Sequence, residues 1–292
     1  MKNKIVIFGG SGFLGSHVAD ILTQRGYDIV IFDKKESQWL KKNQDMFIGD
    51  ICNFNDVDKV IKGSRFVYNF AGLSDLNEGS DKPIDTINLN ILGNANILES
   101  SRRSNIQRFI YSSSIYVFSH LGGFYRCSKQ SAEQYIEEYK NKYELDFTIL
   151  RYGSLFGPRS DISNGIFRMI KKSIERKKLI FTSHVDTVRE YIYVIDAAIA
   201  SADIIERENF KNKSLMITGS KSIKSLEIAK TIAELLNFDL VIDNKSNMDE
   251  YHSSHYIANP ITYKPPKVEK FPIFNSKQLE LNLRELIQII KN

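Results

Sequence analysis

The stretch Ile5-Val-Ile-Phe-Gly-Gly-Ser-Gly-Phe-Leu-Gly15 decides the fold of this 292-residue chain. It opens with apolar residues typical of a buried strand, and glycines follow at positions 9, 12 and 15. A helical pattern then extends from Gly12 to Arg25. Glycines in this setting allow a tight turn close to a pyrophosphate, and the N–H groups that begin the helix face its charge. The stretch therefore predicts a dinucleotide-binding turn.

Apolar strand-like runs alternate with helix-like segments through the first half of the chain. The predicted strands are Lys4–Phe8, Asp28–Phe32, Met46–Ile48, Arg65–Phe70, Arg108–Ser112 and Phe147–Leu150. The predicted helices are Gly12–Arg25, Thr86–Arg103 and Tyr125–Lys142. Continuous apolar strands separated by helices are typical of a parallel sheet covered on both faces. We predict an α/β fold, a Rossmann doubly wound parallel sheet with a smaller α/β substrate-binding C-terminal domain.

The alternation weakens after about Arg151, and Gly157-Pro158 breaks the chain. Tyr191–Ile205 is predicted to return to the first domain as a helix. We predict a dinucleotide-binding domain over residues 1–152 with a return segment at 187–213, and a substrate domain over residues 153–186 and 214–292. The proline-containing stretch Asn259–Pro266 is predicted to be an ordered loop.

Composition indicates an ordinary globular protein, with 42% hydrophobic and 26% charged residues. Neither a membrane span nor a signal-peptide core is evident. Cys52 and Cys127 are too few for a disulfide framework, and no cysteine or histidine cluster has metal-site spacing. The densest basic stretch, Lys171–Lys178, lacks the aromatic residues and motif of a nucleic-acid site. We therefore expect a cytoplasmic protein without a metal, a nucleic-acid partner or a membrane partner.

Asp33 ends the second predicted strand, 18 positions after Gly15. An acidic residue near this distance hydrogen-bonds the adenosine ribose and repels a 2′-phosphate, which favours NAD over NADP. Lys34 and Lys35 follow directly and could instead hold a phosphate. Asp50, after the third strand, is placed either to meet the adenine or to serve as an ordinary turn residue.

Tyr125 and Lys129 are four residues apart, so they lie on one face of one predicted helix. Together with other short motifs they occur in the order typical of one protein family. The motifs are Gly9-Gly-Ser-Gly-Phe-Leu-Gly15, Asn69-Phe-Ala-Gly72, Ser112-Ser-Ser114, Tyr125-x-x-x-Lys129, Leu150-Arg-Tyr-Gly-Ser-Leu-Phe-Gly-Pro-Arg159 and Val188-Arg-Glu-Tyr-Ile-Tyr-Val-Ile-Asp196. The chain resembles an extended short-chain dehydrogenase/reductase of the NAD-dependent nucleotide-sugar epimerase/dehydratase branch, of the UDP-glucose 4-epimerase type.

The resemblance implies that Tyr125 takes the proton of a sugar hydroxyl while hydride leaves to nicotinamide. A free tyrosine has a pKa of about 10. A cation about 4 Å away at an effective dielectric of 20 is worth about 4 kcal/mol, or roughly three pKa units. Lys129 and the nicotinamide ring are therefore expected to lower the pKa of Tyr125 to near neutral pH, where a general base works best. Ser114 would hold the same hydroxyl.

The resemblance also implies the binding residues. For the cofactor they are Gly9, Gly12, Phe13, Leu14, Gly15, Asp33, Lys34, Asp50, Ile51, Phe70, Ala71, Gly72, Ser112, Tyr125, Lys129 and Tyr152. For the nucleotide-diphosphate sugar they are Ser74, Ser114, Tyr116, Ser154, Asn164 and Arg189. Arg189 matches an arginine that grips the diphosphate, although a surface ion pair with Glu190 or Asp186 is the alternative. Arg159 and His255-Tyr256 are weaker candidates. The resemblance further implies a homodimer formed by the helices near 86–103 and 125–142, and a place in surface-polysaccharide or sugar-precursor synthesis.

The chain departs from the family pattern at three places. Dehydratases place an Asp-Glu pair after the active-site Ser or Thr, whereas this chain has Ile115 and Tyr116. Tyr125 follows Ser114 after only 11 positions, which implies a short loop and more open space over the sugar. Ser154 stands where an asparagine is usual. The first departure disfavours dehydration and leaves a C4 epimerase or a one-way ketosugar reductase, and Asp33 favours the epimerase because such reductases usually prefer NADPH. A ketosugar reductase, an atypical dehydratase and a non-catalytic NAD(P)-sensing regulator remain the alternatives.

Overall fold

The structure is a computed structural model that describes residues 3–119, 122–243, 269–270 and 279–291. The helices in this part of the chain are α1 (Phe13–Gln24), α2 (Phe54–Ile61), α3 (Leu76–Asp81), α4 (Pro83–Ile87), α5 (Gly93–Arg103), α6 (Gly123–Tyr143), α7 (Gly165–Arg176), α8 (Val194–Asp203), α9 (Ser225–Leu236) and α10 (Leu279–Lys291). A wide π-helical turn, Asn88–Leu92, joins α4 to α5. None of the described helices is long and apolar enough to cross a membrane.

The predicted strands occur in the predicted order: β1 has the predicted bounds, β4 is shorter, the other four are longer, and further short strands join them. They are β1 (Lys4–Phe8), β2 (Asp28–Asp33), β3 (Gln44–Ile48), β4 (Phe66–Asn69), β5 (Arg108–Ser114), β6 (Phe147–Tyr152), β7 (Ser154–Phe156), β8 (Leu179–Phe181), β9 (Val188–Arg189), β10 (Tyr191–Tyr193), β11 (Lys213–Ile217), β12 (Ile223–Lys224), β13 (Leu240–Ile242) and β14 (Glu269–Lys270).

A fully parallel sheet forms the centre of the described molecule, in the order β14-β11-β6-β5-β4-β1-β2-β3. The strand order reverses between β1 and β4. In such a sheet the ligand crevice lies at the carboxyl ends of the strands, at this reversal. The predicted doubly wound Rossmann fold is confirmed.

Helices cover both faces of the sheet. On one face α1 and α8 pack against apolar side chains such as Ile5, Ile7 and Leu150. On the other face α2, α5 and α6 pack against Val6, Phe8 and their neighbours. Because both faces are buried, the strands carry continuous apolar runs rather than alternating polar and apolar residues.

A second, smaller region is built around α7, α9 and α10, which share a separate apolar core. Short strand pairs border it, namely β7 with β10, β8 with β13 and β9 with β12. Strand β11 pairs with β6 in the central sheet. We therefore propose that the return segment of the first domain ends near residue 217 rather than at 213.

Two segments differ from their predicted form. The helix expected over Thr86–Arg103 begins earlier, with Pro83 at its first position, where a proline is well tolerated because no N–H is needed. The first three residues of the helix expected over Tyr191–Ile205 form strand β10 instead, and α8 begins after them. Tyr, Ile and Tyr favour a strand and pair with β7. The predicted loop Asn259–Pro266 lies outside the described residues.

Candidate active site

The glycine turn closes tightly onto the end of β4. Gly9 has a φ of +74°, and a Cβ there would lie 2.6 Å from the backbone nitrogen of Ala71. A Cβ on Gly15 would overlap the carbonyl oxygen of Gly9. Gly12 precedes α1 without a side-chain cap, so the first N–H groups of the helix are left for a ligand. The glycine turn and the uncapped start of α1 at the strand reversal fit a pyrophosphate. Phe13 and Leu14 belong to the first turn of α1.

Asp33 lies beside this turn at the end of β2. Its carboxylate accepts the N–H of Ser11 at 3.1 Å and the N–H of Lys34 at 2.8 Å. The Nζ of Lys34 lies 3.2 Å from Oδ2 of Asp50, whose other oxygen accepts the N–H of Cys52. Burial acts to raise the pKa of Asp50, but the bonds from Cys52 and Lys34 outweigh it and lower that pKa. The carboxyl groups of Asp33 and Asp50 and the ammonium group of Lys34 thus surround the position predicted for the adenosine.

The other cofactor candidates border the same crevice. Phe70, Ala71 and Gly72 follow β4, where the N–H of Phe70 bonds to the carbonyl of Phe8 at 2.9 Å. Ile51 follows β3, is buried, and accepts a bond from Asn96 through its carbonyl. The structure therefore brings residues from the ends of three strands to one edge of the sheet.

Helix α6 holds Tyr125 and Lys129 on its buried face, 9% and 7% exposed. The Nζ of Lys129 donates to the carbonyl of Ser112 at 2.7 Å and lies 5.7 Å from the ring centre of Tyr125. Burial lowers the pKa of Lys129 to about 8, and the nearby Glu133 carboxylate acts in the opposite direction. Lys129 is thus a buried cation next to the predicted base.

Ser114 ends β5, two residues after the Ser112 carbonyl that holds Lys129. Its Oγ accepts the N–H of Tyr116 at 3.3 Å. The ring of Tyr116 meets that of Tyr125 edge to face, with centres 6.1 Å apart, and Leu76 completes this small apolar cluster. A buried aromatic ring therefore fills the position at which family dehydratases carry a glutamate.

Sequence reasoning missed Asn90, which connects three elements around the site. Its Oδ1 accepts the N–H of Leu73 at 2.7 Å, and its Nδ2 donates to Oγ of Ser128 at 2.9 Å. Ser128 in turn donates to the carbonyl of Tyr125 at 2.8 Å. Asn90 lies in the π-helical turn, and an asparagine within a predicted helix was a possible signal because it favours non-helical bonding.

Two predicted residues are not brought to the site. The hydroxyl of Tyr152 bonds to Oγ of Ser201 at 2.7 Å in the core beneath α8, because alternation along β6 turns it to that face. The side chain of Asn164 caps α7 by accepting two backbone N–H groups and donates to Leu155. A contact of Tyr152 with cofactor, or of Asn164 with substrate, would therefore involve backbone atoms or a rearranged side chain.

The weaker candidate Arg159 is engaged elsewhere. Its Nη2 lies 2.6 Å from Oδ2 of Asp20 on α1, and its guanidinium stacks 4.8 Å from the ring centre of Trp39. Trp39 belongs to the loop between β2 and β3, so this contact joins that loop to the segment before α7. Among the described residues no cluster of His, Cys, Asp and Glu could hold a metal.

Two of the remaining substrate candidates, Arg189 and Ser154, lie in the short strands that border the second region. Arg189 is half-buried in β9, opposite Ile223 of β12. Ser154 lies in β7, and its N–H bonds to the carbonyl of Glu190 at 3.0 Å. Ser74 is exposed in the loop before α3. His255 and Tyr256 lie outside the described residues.

Known proteins are similar to this chain in sequence and in fold. The chain is 30% identical over 239 residues to a UDP-glucose 4-epimerase of Erwinia amylovora, covering 67% of this chain and 71% of that protein. It is 26% identical over 263 residues to a UDP-N-acetyl-alpha-D-glucosaminuronate decarboxylase of Bacillus cytotoxicus, covering 80% and 81%. The crystal structure of Thermus thermophilus UDP-glucose 4-epimerase complexed with NAD superimposes with a TM-score of 0.83, at 17% identity and 99% coverage of both chains, which shows a shared fold.

A family model settles the relationship that these similarities indicate. The model of the NAD dependent epimerase/dehydratase family matches residues 5–217 of this chain. This span contains the glycine turn, Ser114, Tyr125 and Lys129. The chain therefore belongs to the NAD-dependent epimerase/dehydratase family of nucleotide-sugar enzymes.

Proposed function

We propose that this protein epimerises a nucleotide-diphosphate sugar at C4 through a transient 4-ketose. The observation that supports the proposal is that Lys129 donates to the Ser112 carbonyl near the end of β5 and lies 5.7 Å from the ring centre of Tyr125, while Ser114 ends that strand. The bare start of α1 and the carboxylate of Asp33 are suited to hold NAD. The NAD in the Thermus thermophilus relative supports this assignment.

Each residue of the trio has a distinct role in this proposal. Bound NAD supplies a hydride acceptor that can also return the hydride. Tyr125 takes the proton from the sugar O4 as the C4–H bond breaks and the carbonyl forms, and it returns that proton to the epimer. Ser114 hydrogen-bonds the same oxygen. Lys129 stabilises the tyrosinate form of Tyr125, which takes the proton in the first step and is restored when the proton returns.

The residues after Ser114 argue against dehydration. Loss of water from a 4-ketose needs a base and an acid near C5 and C6, but the positions concerned hold Ile115 and the buried Tyr116. The Bacillus cytotoxicus relative is a decarboxylase, and that branch commonly keeps the glutamate that Tyr116 replaces. A ketosugar reductase is the nearest alternative, and Asp33 disfavours it because such reductases usually prefer NADPH. The intact trio disfavours a non-catalytic regulator.

The test is to incubate the purified protein with a panel of nucleotide sugars in deuterated water and to separate the products by chromatography with mass detection. A new peak of unchanged mass without deuterium supports C4 epimerisation and identifies the substrate. Loss of water or carbon dioxide, accompanied by deuterium, would overturn the proposal in favour of a dehydratase or decarboxylase. Turnover of a ketosugar only in the presence of added NADPH would favour the reductase.

Asp33 is expected to set the choice of cofactor. Asp33→Asn keeps an oxygen for the Ser11 N–H but removes the charge that repels a 2′-phosphate. We expect the ratio of NAD to NADP affinity, measured by calorimetry, to fall at least about fivefold, since one charge pair at the surface is worth about 1–4 kcal/mol. Asp28→Asn, the same change at the other end of β2, should leave the ratio unaltered. An unchanged ratio in Asp33→Asn would assign the discrimination to other residues.

We also propose that two copies associate through the helical face formed by residues 83–103 and α6. Large apolar side chains are exposed there, among them Ile87, Leu92 and Tyr135. The double substitution Ile87→Asp/Leu92→Asp should convert a dimer to a monomer in light scattering. Ile199→Asp on α8, which lies on the opposite face of the sheet, serves as the control. A monomeric wild-type protein would contradict this proposal.

A further inference from the structure

A buried ion pair lies directly behind the candidate active site. Glu133 and Arg151 are 5% and 2% exposed. Nε and Nη2 of Arg151 donate to the two carboxylate oxygens of Glu133 at 2.9 and 2.6 Å. This two-pronged geometry is the strong form of a charged hydrogen bond. Burying such a pair is costly, so its presence beside a reactive site calls for a role other than stability.

The pair joins the three elements that build the site. Glu133 belongs to α6, Arg151 to β6, and Oγ of Ser113 on β5 donates to Glu133 at 2.5 Å. Ser113 and Arg151 are directly opposite each other in the parallel pairing of β5 and β6. On either side of Ser113, the carbonyl of Ser112 accepts a bond from Lys129 and Oγ of Ser114 accepts the N–H of Tyr116.

Glu133 also lies one helical turn from Lys129, on the same buried face of α6. Residues four apart on a helix have Cβ atoms about 5–6 Å from each other. The charged and titratable groups around Lys129 are Tyr125 and Glu133 on its own helix and Tyr111 on β5, whose ring centre is 4.8 Å from Nζ. The charged groups next to Glu133 are Arg151 on β6 and Glu137 on α6. Burial raises the pKa of Glu137. Glu133 is thus the carboxylate nearest along the helix to the buried ammonium.

We propose that Glu133 is a positioning residue that keeps Lys129 protonated, and that Arg151 limits this effect by sharing the carboxylate. The inference rests on the proposed function, in which Lys129 must be a cation when Tyr125 gives up its proton. Without the carboxylate, burial alone would favour loss of the Lys129 proton. Without Arg151, the carboxylate would act on Lys129 at full strength. The two halves of the pair should therefore shift the protonation of Lys129 in opposite directions.

The experiment is an NMR titration of the full-length protein labelled with ¹³C at the lysine Cε. The signal of Lys129 is identified by its absence in Lys129→Met and should titrate near pH 8 in the wild type, consistent with the lowered pKa of this lysine. In Glu133→Gln we expect the midpoint to fall by about one pH unit. In Arg151→Met we expect it to rise. The alkaline limb of the kcat/KM profile should move in the same directions.

A control separates this role from a general loss of stability. Arg108 is fully buried at the first residue of β5, about 20 Å from Ser114, and Glu208 lies 3.0 Å from it. Glu208→Gln also removes the partner of a buried arginine but should leave the Lys129 titration unchanged. The proposal is overturned if the midpoint of the Lys129 titration stays unchanged in Glu133→Gln and Arg151→Met. It is also overturned if the midpoint shifts in the same direction in both variants. If Glu133→Gln does not fold, Arg151→Met decides alone, and a midpoint that does not rise is the contrary result.

The titration needs no substrate, so it distinguishes the two proposals. If no nucleotide sugar is converted, the proposed function fails while the opposite shifts can still be measured. If a sugar is converted but the shifts are absent, the role of Glu133 fails while the proposed function stands.

Discussion

Tyr125→Phe is expected to lower kcat by about 10³-fold while the affinity for cofactor changes little. The substitution keeps the ring that packs against Tyr116 and removes only the hydroxyl that carries the proton. General acid–base catalysis contributes about 10²–10⁴-fold in enzymes, so most of the rate should be lost. The measurement is the initial rate of conversion of the nucleotide sugar identified by the panel assay, together with calorimetric titration of NAD.

Tyr139→Phe is the matched control for this prediction. It makes the same change on the same helix, where the hydroxyl of Tyr139 bonds to Glu99 at 3.3 Å. Its kcat should stay close to that of the wild type. If Tyr125→Phe retained full activity while binding its substrate normally, Tyr125 would not be the base, and the non-catalytic regulator would become the better reading.

Gly15→Ala is expected to weaken cofactor binding strongly. The added Cβ would overlap the carbonyl oxygen of Gly9, and the backbone on both sides of the turn would have to move apart. Overpacking of this kind costs about 1–3 kcal/mol. A displaced turn loses its contacts with the pyrophosphate, so the affinity for NAD should fall at least about 100-fold. Tm should also drop by about 5 °C.

Gly165→Ala shows whether such losses are specific to the turn. Gly165 begins α7 and has nothing within 4 Å of its ideal Cβ position. Alanine is the better helix former there, so Tm should stay the same or rise. Normal NAD affinity in Gly15→Ala would mean that the pyrophosphate binds away from this turn.

Much of the fold followed from local signals. The apolar run Lys4–Phe8 and the glycines after it predicted β1, the turn and α1, because only a few residue types allow so tight a strand-to-helix connection. The shared helix face of Tyr125 and Lys129 followed from a spacing of four residues, and in the structure Lys129 lies 5.7 Å from the ring centre of Tyr125. The grouping of Ser114 with this pair came from the family resemblance and stays a prediction.

The missed parts of the site depend on contacts between distant elements. Glu133 looks like a solvated helical residue until Arg151 from β6 is packed against it. Arg151 and Tyr152 are adjacent in sequence, yet alternation along the strand sends one to the face of α6 and the other to the face of α8. The family resemblance predicted that Tyr152 contacts the cofactor. Only the packed structure shows that its ring lies on the face of the sheet covered by α8.

The contact between Trp39 and Arg159 provides the protein with an optical reporter. Trp39 is the single tryptophan of the chain, so all tryptophan emission comes from one place. Its ring lies under a guanidinium that is also held by Asp20 of α1. A change in that stacking alters the emission of the indole. The fluorescence of the unlabelled protein therefore reports on the junction between the loop after β2 and the segment that leads into the second region.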